Sequence, residues 1–147
     1  MIVPQEIYHP LYTDTEKFII LITGGRGSGK SFNASTFIER LTFEMTPVEK
    51  IVHQILYTRY TMVSAGMSII PEMMEKIDLD GTTKYFKTTK TDIVNKMTKS
   101  RIMFRGIKTS SGNQTAKLKS IQGITTFVCD EAEEWTSEDE FDKIMLS

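Results

Sequence analysis

The 147-residue sequence predicts an α/β layered domain with a largely parallel central sheet. Three observations lead to this prediction. An uninterrupted apolar run, Phe18–Ile22, leads directly into a glycine-rich segment, as expected of a strand buried on both faces. Apolar residues at helical spacing follow that segment. A later apolar run, Ile124–Cys129, ends in two adjacent acids.

Two helices are predicted from the spacing of apolar residues. The first is marked by Ala34, Ile38, Leu41 and Met45, and Thr46-Pro47 ends it. The second covers Met62–Ile77. Proline cannot donate the backbone hydrogen bond of a helix interior, so Pro71 predicts a break or a late start there. Asp80-Gly81 signals a turn after this helix.

Further strands are predicted from short runs of β-favouring residues. Ile51–Thr58 reads as the second strand of the domain. From Thr82 to Gly106 the pattern is shorter and alternating, and its strand cores are Tyr85-Phe86, Ile93-Val94 and Ile102–Phe104. Ser110–Gln114 has the composition of a loop.

The bulk composition is that of one soluble globular domain covering residues 1–147. No stretch approaches the roughly 20 apolar residues that cross a bilayer, so no membrane association is expected. The N-terminus lacks the pattern of a secretory signal. The single cysteine, Cys129, cannot form an internal disulfide, which favours a reducing cytoplasm.

The net charge is −1, but charged residues are distributed unevenly along the chain. Residues 84–119 contain ten basic side chains and one acidic side chain, whereas residues 120–147 contain one basic and eight acidic. A basic block of this kind attracts polyphosphate or nucleic acid. A solvated surface that offsets the acidic tail is the equally weighted alternative.

The glycine-rich segment Gly24–Ser31 matches the pattern G-x-x-x-x-G-K-[ST] in full. Glycines let backbone N–H groups turn inward around phosphate oxygens, and the helix that follows begins with an anion site. Lys30 would bring positive charge to the β- and γ-phosphates of ATP, and the Ser31 hydroxyl would ligate Mg²⁺. The predicted nucleotide-binding residues are Gly24, Gly25, Arg26, Gly27, Ser28, Gly29, Lys30 and Ser31. The alternative is a glycine-rich turn that happens to precede a lysine.

The two acids that end the Ile124–Cys129 strand form the second half of the predicted site. Ligands of α/β sheets bind outside the carboxyl ends of strands, so in a parallel sheet Asp130 would emerge at the same edge as the loop. Asp130 would then hold Mg²⁺ through its water shell, and Glu131 would deprotonate the attacking water. Acid pairs also occur in solvated turns. The further acids between residues 133 and 142 favour a solvated helical face over a second metal site.

Four motifs in this order resemble the large terminase subunit of tailed bacteriophages: Gly24–Ser31, Ile102–Gly106, Lys119–Gly123 and Asp130–Ala132. The resemblance extends from about Lys17 to Ser147. It implies a P-loop NTPase of the RecA/ASCE-like branch, which hydrolyses Mg-ATP to drive double-stranded DNA into a procapsid. It also implies a homo-oligomeric ring, the small terminase subunit and the portal as partners, and the host cytoplasm as the location.

The same resemblance assigns roles to single residues. Lys30 and Ser31 match the family's phosphate and magnesium residues. Asp130 matches the Walker B aspartate, and Glu131 matches the catalytic glutamate. Arg26 lies where many members carry a loop arginine that stabilises charge on the γ-phosphate, although a plain surface arginine is the alternative.

Three other positions are suggested by the resemblance with less definition. Lys119 lies where the family places a basic residue that reaches a neighbouring subunit's nucleotide or contacts DNA, and an ordinary solvated lysine is equally expected. Tyr12 falls in the adenine-contacting region, although a core tyrosine is the more common outcome. Arg59 matches an arginine of the family to which no role is assigned.

The family pattern continues beyond Walker B with a coupling motif and a nuclease domain, and neither is in this sequence. The domain is therefore expected to be incomplete at its C-terminus, and the isolated fragment is expected to turn over ATP weakly or not at all. Two other functions fit the loop and the acids: a helicase-like ATPase that acts on nucleic acid, and a nucleotide-binding fragment without catalysis.

Overall fold

A computed structural model of the chain describes residues 1–14, 19–25, 27–59, 65–106, 108–109, 112–113, 121–132, 138–139 and 142. Within these residues the fold is mixed α/β, with three α-helices, a five-stranded sheet and a two-stranded sheet. The helices are α1 (Pro10–Thr13), α2 (Lys30–Leu41) and α3 (Ala65–Asp80). The strands are β1 (Gln54–Arg59), β2 (Phe86–Thr88), β3 (Asp92–Asn95), β4 (Arg101–Gly106), β5 (Lys108–Thr109), β6 (Gly112–Asn113) and β7 (Thr126–Asp130). None of the described helices is long and apolar enough to cross a membrane.

The five-stranded sheet has the order β2-β3-β4-β1-β7. β1 pairs in parallel with β4 on one side and with β7 on the other, whereas β3 pairs antiparallel with β2 and with β4. Three residues join β2 to β3 and five join β3 to β4. These connections are too short for the crossover that a parallel pair needs. The largely parallel sheet expected from the sequence is therefore not confirmed: the sheet is mixed, and only β4-β1-β7 is parallel.

The apolar run before the glycine-rich loop does not form the expected buried strand. Residues 19–22 belong to no strand, and Ile19, Ile20 and Leu21 are exposed. Phe18 lies outside the described residues. Apolar side chains favour burial, but a strand also needs hydrogen-bond partners for its backbone groups. The described residues 19–22 pair with no other strand. Ile20, Leu21 and Ile22 instead line one wall of a cavity of about 290 Å³.

The main core lies between α3 and the sheet. Met73 and Ile77 of α3 pack with Ile55 of β1 and with Ile102 and Phe104 of β4, and all five side chains are almost fully buried. Each of these side chains stabilises the folded protein by roughly 1.5–3 kcal/mol through burial of its apolar surface. This packing explains why α3 continues through Pro71, where the sequence predicted a break or a late start.

The other predicted helix is present with shifted ends. α2 begins at Lys30 and ends at Leu41, four residues before the expected last turn at Met45, which is exposed. The second strand and the strand before the acids are found within two to three residues of their predicted starts, as β1 and β7. The Asp80-Gly81 turn is also found, with α3 ending at Asp80 and Gly81 at φ 79°.

Candidate functional site

The glycine-rich loop has the backbone conformation that its sequence predicts. Gly24, Gly27 and Gly29 have positive φ values of 152°, 77° and 78°, which side chains with a Cβ rarely adopt. A Cβ on Gly24 would also lie 2.8 Å from the Ser28 hydroxyl oxygen. The loop is therefore a turn that tolerates only glycine at these positions, and its residues described at 24–25 and 27–28 are exposed.

Gly29 joins the loop to α2 as the N-cap residue of that helix. Its carbonyl oxygen accepts two hydrogen bonds from Asn33, one from the backbone N–H and one from the side-chain Nδ2, each at 2.9 Å. Lys30 is the first helical residue and is half-buried, and the adjacent Ser31 is exposed. The first N–H groups of a helix have no partner within the helix, so this end of α2 is suited to an anion. Arg26 lies outside the described residues.

The acid pair lies at the carboxyl end of β7, beside the carboxyl end of β1. The strand register aligns Asp130 with Arg59. The Arg59 guanidinium donates to Asp130 Oδ2 from Nε at 3.2 Å and from Nη2 at 2.6 Å, and Nε lies 3.6 Å from Glu131 Oε2. Arg59 therefore contacts both acids, and its single positive charge balances one of their two negative charges.

A second group on β1 faces the same acid. Burial raises the pKa of the Tyr57 phenol, and the charge of Asp130 and a hydrogen bond with it raise that pKa further. The phenol therefore stays protonated and donates to Asp130. Glu131 follows with a φ of 52°, a left-handed conformation that is uncommon for residues other than glycine and clusters at functional sites.

The N-terminal segment contacts the glycine-rich loop through Tyr8. The Tyr8 hydroxyl donates to the Ser28 carbonyl at 2.9 Å, and Tyr8 with Leu11 lines the cavity that residues 20–23 also line. Tyr12, expected as a base-stacking or core residue, packs its ring edge against Phe37 with centroids 5.5 Å apart. The structure therefore uses Tyr12 in packing against α2.

The basic stretch divides into paired arginines and exposed lysines. Arg101 and Arg105 donate to opposite oxygens of the buried Asp92 carboxylate at 2.8 and 2.9 Å, so the two arginines share one negative charge. Five lysines of this stretch are exposed: Lys84, Lys87, Lys90, Lys96 and Lys99. Lys119 lies outside the described residues. These exposed lysines place positive charge around β2 and β3, and we call this surface the β2–β3 end of the sheet.

Metal-binding clusters of the histidine and cysteine type are not found in the described part of the chain. No group of three or more His, Cys, Asp or Glu side chains there could hold a metal ion. His53 is buried, which lowers its pKa, and its Nδ1 lies 3.0 Å from the Thr125 hydroxyl. Of the acids after Ala132, Glu138, Asp139 and Asp142 are described, and all three are exposed.

The pairing of Arg59 with the acids is the feature that sequence reasoning missed. The signal was available in the strand ends. Arg59 follows the predicted strand Ile51–Thr58 directly, just as Asp130 follows Ile124–Cys129. Parallel neighbouring strands bring such ends together. The loop and the acid pair themselves lie on separate elements, α2 and β7, and their meeting around one nucleotide belongs to the proposal that follows.

Comparison with known proteins adds one match. A protein-family model described as phage terminase large subunit matches residues 16–147. No curated protein matches the sequence. The matched region contains both the glycine-rich loop and the acid pair.

Proposed function

The chain belongs to the phage terminase large subunit family, and from this premise we propose that it is the ATP-binding and hydrolysing module of a viral DNA-packaging motor. The family supports a role in phage DNA packaging. The finer proposal is a P-loop NTPase domain of the RecA/ASCE-like type, whose ATP hydrolysis drives double-stranded DNA into a procapsid in the host cytoplasm.

One observation carries the nucleotide-binding part of this proposal. A turn that requires glycine at three positions ends at the first residue of α2, and that residue is Lys30. The turn presents backbone amides, the helix start adds its partial positive charge, and Lys30 adds a full one. Within the described residues Lys30 forms no ion pair, so its charge is available to the phosphates.

The residues present fit a magnesium ion bound with ATP. Mg²⁺ prefers oxygen ligands and keeps several waters, and the exposed Ser31 hydroxyl and the Asp130 carboxylate are donors of that kind. When bound, the ion supplies charge neutralisation on the phosphate oxygens. Because Arg59 donates two hydrogen bonds to Asp130 Oδ2, its positive charge competes with the ion for this carboxylate.

Glu131 is the proposed general base. It would orient and deprotonate the water that attacks the γ-phosphate, while the loop amides, Lys30 and Arg26 stabilise negative charge on the transferred group. The left-handed backbone at Glu131 directs the chain away from β7 immediately after Asp130. Both carboxylates lie near the same Arg59 guanidinium, so the proposed metal ligand and the proposed base would be neighbours in one site.

DNA and protein partners follow from the family and from the charge distribution. We place the DNA phosphates at the exposed lysines of the β2–β3 end, since contacts of lysine to phosphate are largely independent of base sequence. The small terminase subunit, the portal and further copies of the chain in a ring complete the proposed partners. Lys119 is proposed to reach DNA or the nucleotide of a neighbouring copy.

Lys30→Ala tests the nucleotide site. A hydrogen bond to a charged group is worth about 1.5–3 kcal/mol, so the ATP dissociation constant should rise roughly 10- to 100-fold in calorimetry. Lys87→Ala is the matched control, because Lys87 is an exposed lysine on β2 and its loss should leave ATP affinity unchanged. An unchanged ATP affinity in Lys30→Ala would remove the basis of the proposal.

Glu131→Gln tests the catalytic assignment in a form of the protein that turns over ATP. The substitution keeps size and hydrogen bonding but removes the base, so ATP binding should persist while hydrolysis falls about 10²- to 10⁴-fold. Phosphate release and calorimetry measure the two quantities separately. Normal turnover in this variant would place the general base elsewhere.

A further inference from the structure

The N-terminal segment is attached to the nucleotide-binding helix at several points. We call residues 2–13 the N-terminal strap. At one end of the strap, the backbone of Ile2 contacts side chains from α2 and α3. In its middle, Tyr8 contacts the glycine-rich loop, and farther on Tyr12 packs against Phe37 of α2.

The attachment at Ile2 is a network of four hydrogen bonds. The Ile2 N–H donates to Asp80 Oδ1 at 2.7 Å, and the Ile2 carbonyl accepts from Arg40 Nη2. Arg40 also donates to both Asp80 oxygens, from Nε at 3.2 Å and from Nη2 at 2.9 Å. Arg40 is on α2 and Asp80 is the last residue of α3, so the network joins three parts of the chain.

Opening this network in the folded protein is costly, because Asp80 is buried. A buried carboxylate that loses a donor is left with an unsatisfied charge. Arg40 is held in addition by the Tyr12 ring, whose centroid lies 5.7 Å from the guanidinium carbon. The strap therefore has a fixed position relative to α2.

This position matters for the loop because the strap reaches two of its residues. Tyr8 donates to the Ser28 carbonyl, and the Gln5 side chain lies 3.4 Å from the point that a Cβ on Gly29 would occupy. Holding the Ser28 carbonyl toward Tyr8 turns the following amide in the opposite direction, since the peptide unit is planar. The orientation of the Gly29 amide thus depends on where Tyr8 lies.

We propose that Arg40 and Asp80 are positioning residues for nucleotide binding, which hold the N-terminal strap so that Tyr8 fixes the Ser28 carbonyl and with it the amide of Gly29. The inference rests on the proposed function, since it assumes that the loop binds the phosphates of ATP. Neither Arg40 nor Asp80 is proposed to touch the nucleotide.

A double-mutant cycle on the whole chain tests this proposal, with ATP and Mg²⁺ as the titrant in calorimetry. Tyr8→Phe should raise the ATP dissociation constant about fivefold, the value of one ordinary hydrogen bond. Arg40→Gln should raise it by a similar factor. If Arg40 acts through Tyr8, the double variant should also show about a fivefold rise, rather than the 25-fold product of independent effects.

Arg101→Gln is the matched control, because Arg101 makes the same kind of ion pair with the buried Asp92. It should lower the free energy of unfolding, as Arg40→Gln does, without changing ATP affinity. If Arg40→Gln does not fold, Asp80→Asn replaces it in the cycle, since asparagine retains an acceptor for the Ile2 N–H.

Three results would overturn the inference. The first is an ATP dissociation constant unchanged within twofold in Tyr8→Phe, and the second is an unchanged constant in the Arg40 or Asp80 variant. The third is a double variant whose increase in the ATP dissociation constant equals the product of the two single increases. These results are distinct from a failure of the proposed function. If Lys30→Ala leaves ATP affinity unchanged, the nucleotide site itself is refuted. If Lys30 is required but Tyr8 and Arg40 are not, only the positioning role is refuted.

Discussion

Glu39 gives a quantitative prediction about how stability depends on pH. Its side chain is on α2 and only 1% exposed. The Thr82 hydroxyl donates to Oε1 at 2.5 Å, while the buried Oε2 accepts no hydrogen bond from the described residues. Burial, and then a hydrogen bond with Asp80, raise the pKa of Glu39 from 4.5 to about 7. A protonated Glu39 carboxyl provides the donor that a hydrogen bond with the Asp80 carboxylate requires.

The sign of the effect follows from proton binding. Between pH 4.5 and about 7 the folded protein holds a proton on Glu39 that the unfolded chain has released, so stability falls as pH rises through this window. A difference of about 2.5 in pKa at 1.36 kcal/mol per pKa unit corresponds to at most about 3 kcal/mol. Glu39→Gln carries no such proton. The stability of the variant relative to the wild type should therefore increase by up to about 3 kcal/mol between pH 4.5 and pH 8.

Asp80 and His53 also change protonation at a pH within or near the range of this experiment. Although burial alone would raise it, hydrogen bonds from Arg40 and Glu39 hold the pKa of Asp80 at about 2, so Asp80 loses its contribution only below the chosen range. Burial lowers the pKa of His53, so stability from that group rises with pH in part of the same window. Because His53 is present in both proteins, its contribution cancels in the difference between wild type and Glu39→Gln.

Urea unfolding followed by circular dichroism at several pH values from 4.5 to 8 provides the measurement. Glu49→Gln serves as the control, since Glu49 is exposed, and its difference from the wild type should not vary with pH. If Glu39→Gln and the wild type show parallel stability curves across the range, Glu39 is not protonated in the folded protein and the reasoning fails.

Two further predictions concern charged groups near the proposed ligands. Arg59→Ala should lower the free energy of unfolding by about 1–3 kcal/mol, because Asp130 loses two charge-assisted hydrogen bonds. Mg²⁺-dependent ATP affinity should rise in the same variant, since a competing cation is gone, and a loss of that affinity in calorimetry would contradict competition. For DNA, Lys87→Gln with Lys90→Gln should reduce the slope of log affinity against log salt by about 0.9 per lost phosphate contact. Lys50→Gln, exposed and outside this stretch, should leave the slope unchanged, and equal slopes in all three proteins would exclude the β2–β3 end as the DNA surface.

Local features of this chain were predictable because they depend on neighbouring residues. The glycine turn and the start of α2 follow from residues 24–31, and the ends of β1 and β7 follow from short apolar runs. The hairpin connections of β2, β3 and β4 were also visible as closely spaced runs between Thr82 and Gly106. Their short spacing, rather than their composition, decides that they pair antiparallel.

Pairing partners were less predictable because they depend on residues distant in sequence. The apolar run at residues 19–22 has the composition of a central strand, yet it remains outside the sheet and contributes to a cavity wall. The helix α3 continues through Pro71 because its packing against the sheet outweighs the missing hydrogen bond. The contacts of Ile2 with Asp80 and of Arg59 with Asp130 span more than 70 residues. The strand ends gave a signal for the second contact, whereas no local pattern indicates the first.

The exposure of the acids separates structural ion pairs from the pair proposed to act on a nucleotide. Asp80 and Asp92 each bind arginine, and their side chains are 4% and 7% exposed. Removing arginine from such a site leaves a charge that water cannot reach, so these pairs are fixed parts of the fold. Asp130 binds Arg59 with similar geometry but is 16% exposed, and Glu131 beside it is 44% exposed. Water or a hydrated cation can therefore replace Arg59 at Asp130 at a lower desolvation cost. By this difference in solvent access, Asp130 and Glu131 are better suited than Asp80 and Asp92 to exchange partners in the proposed reaction cycle.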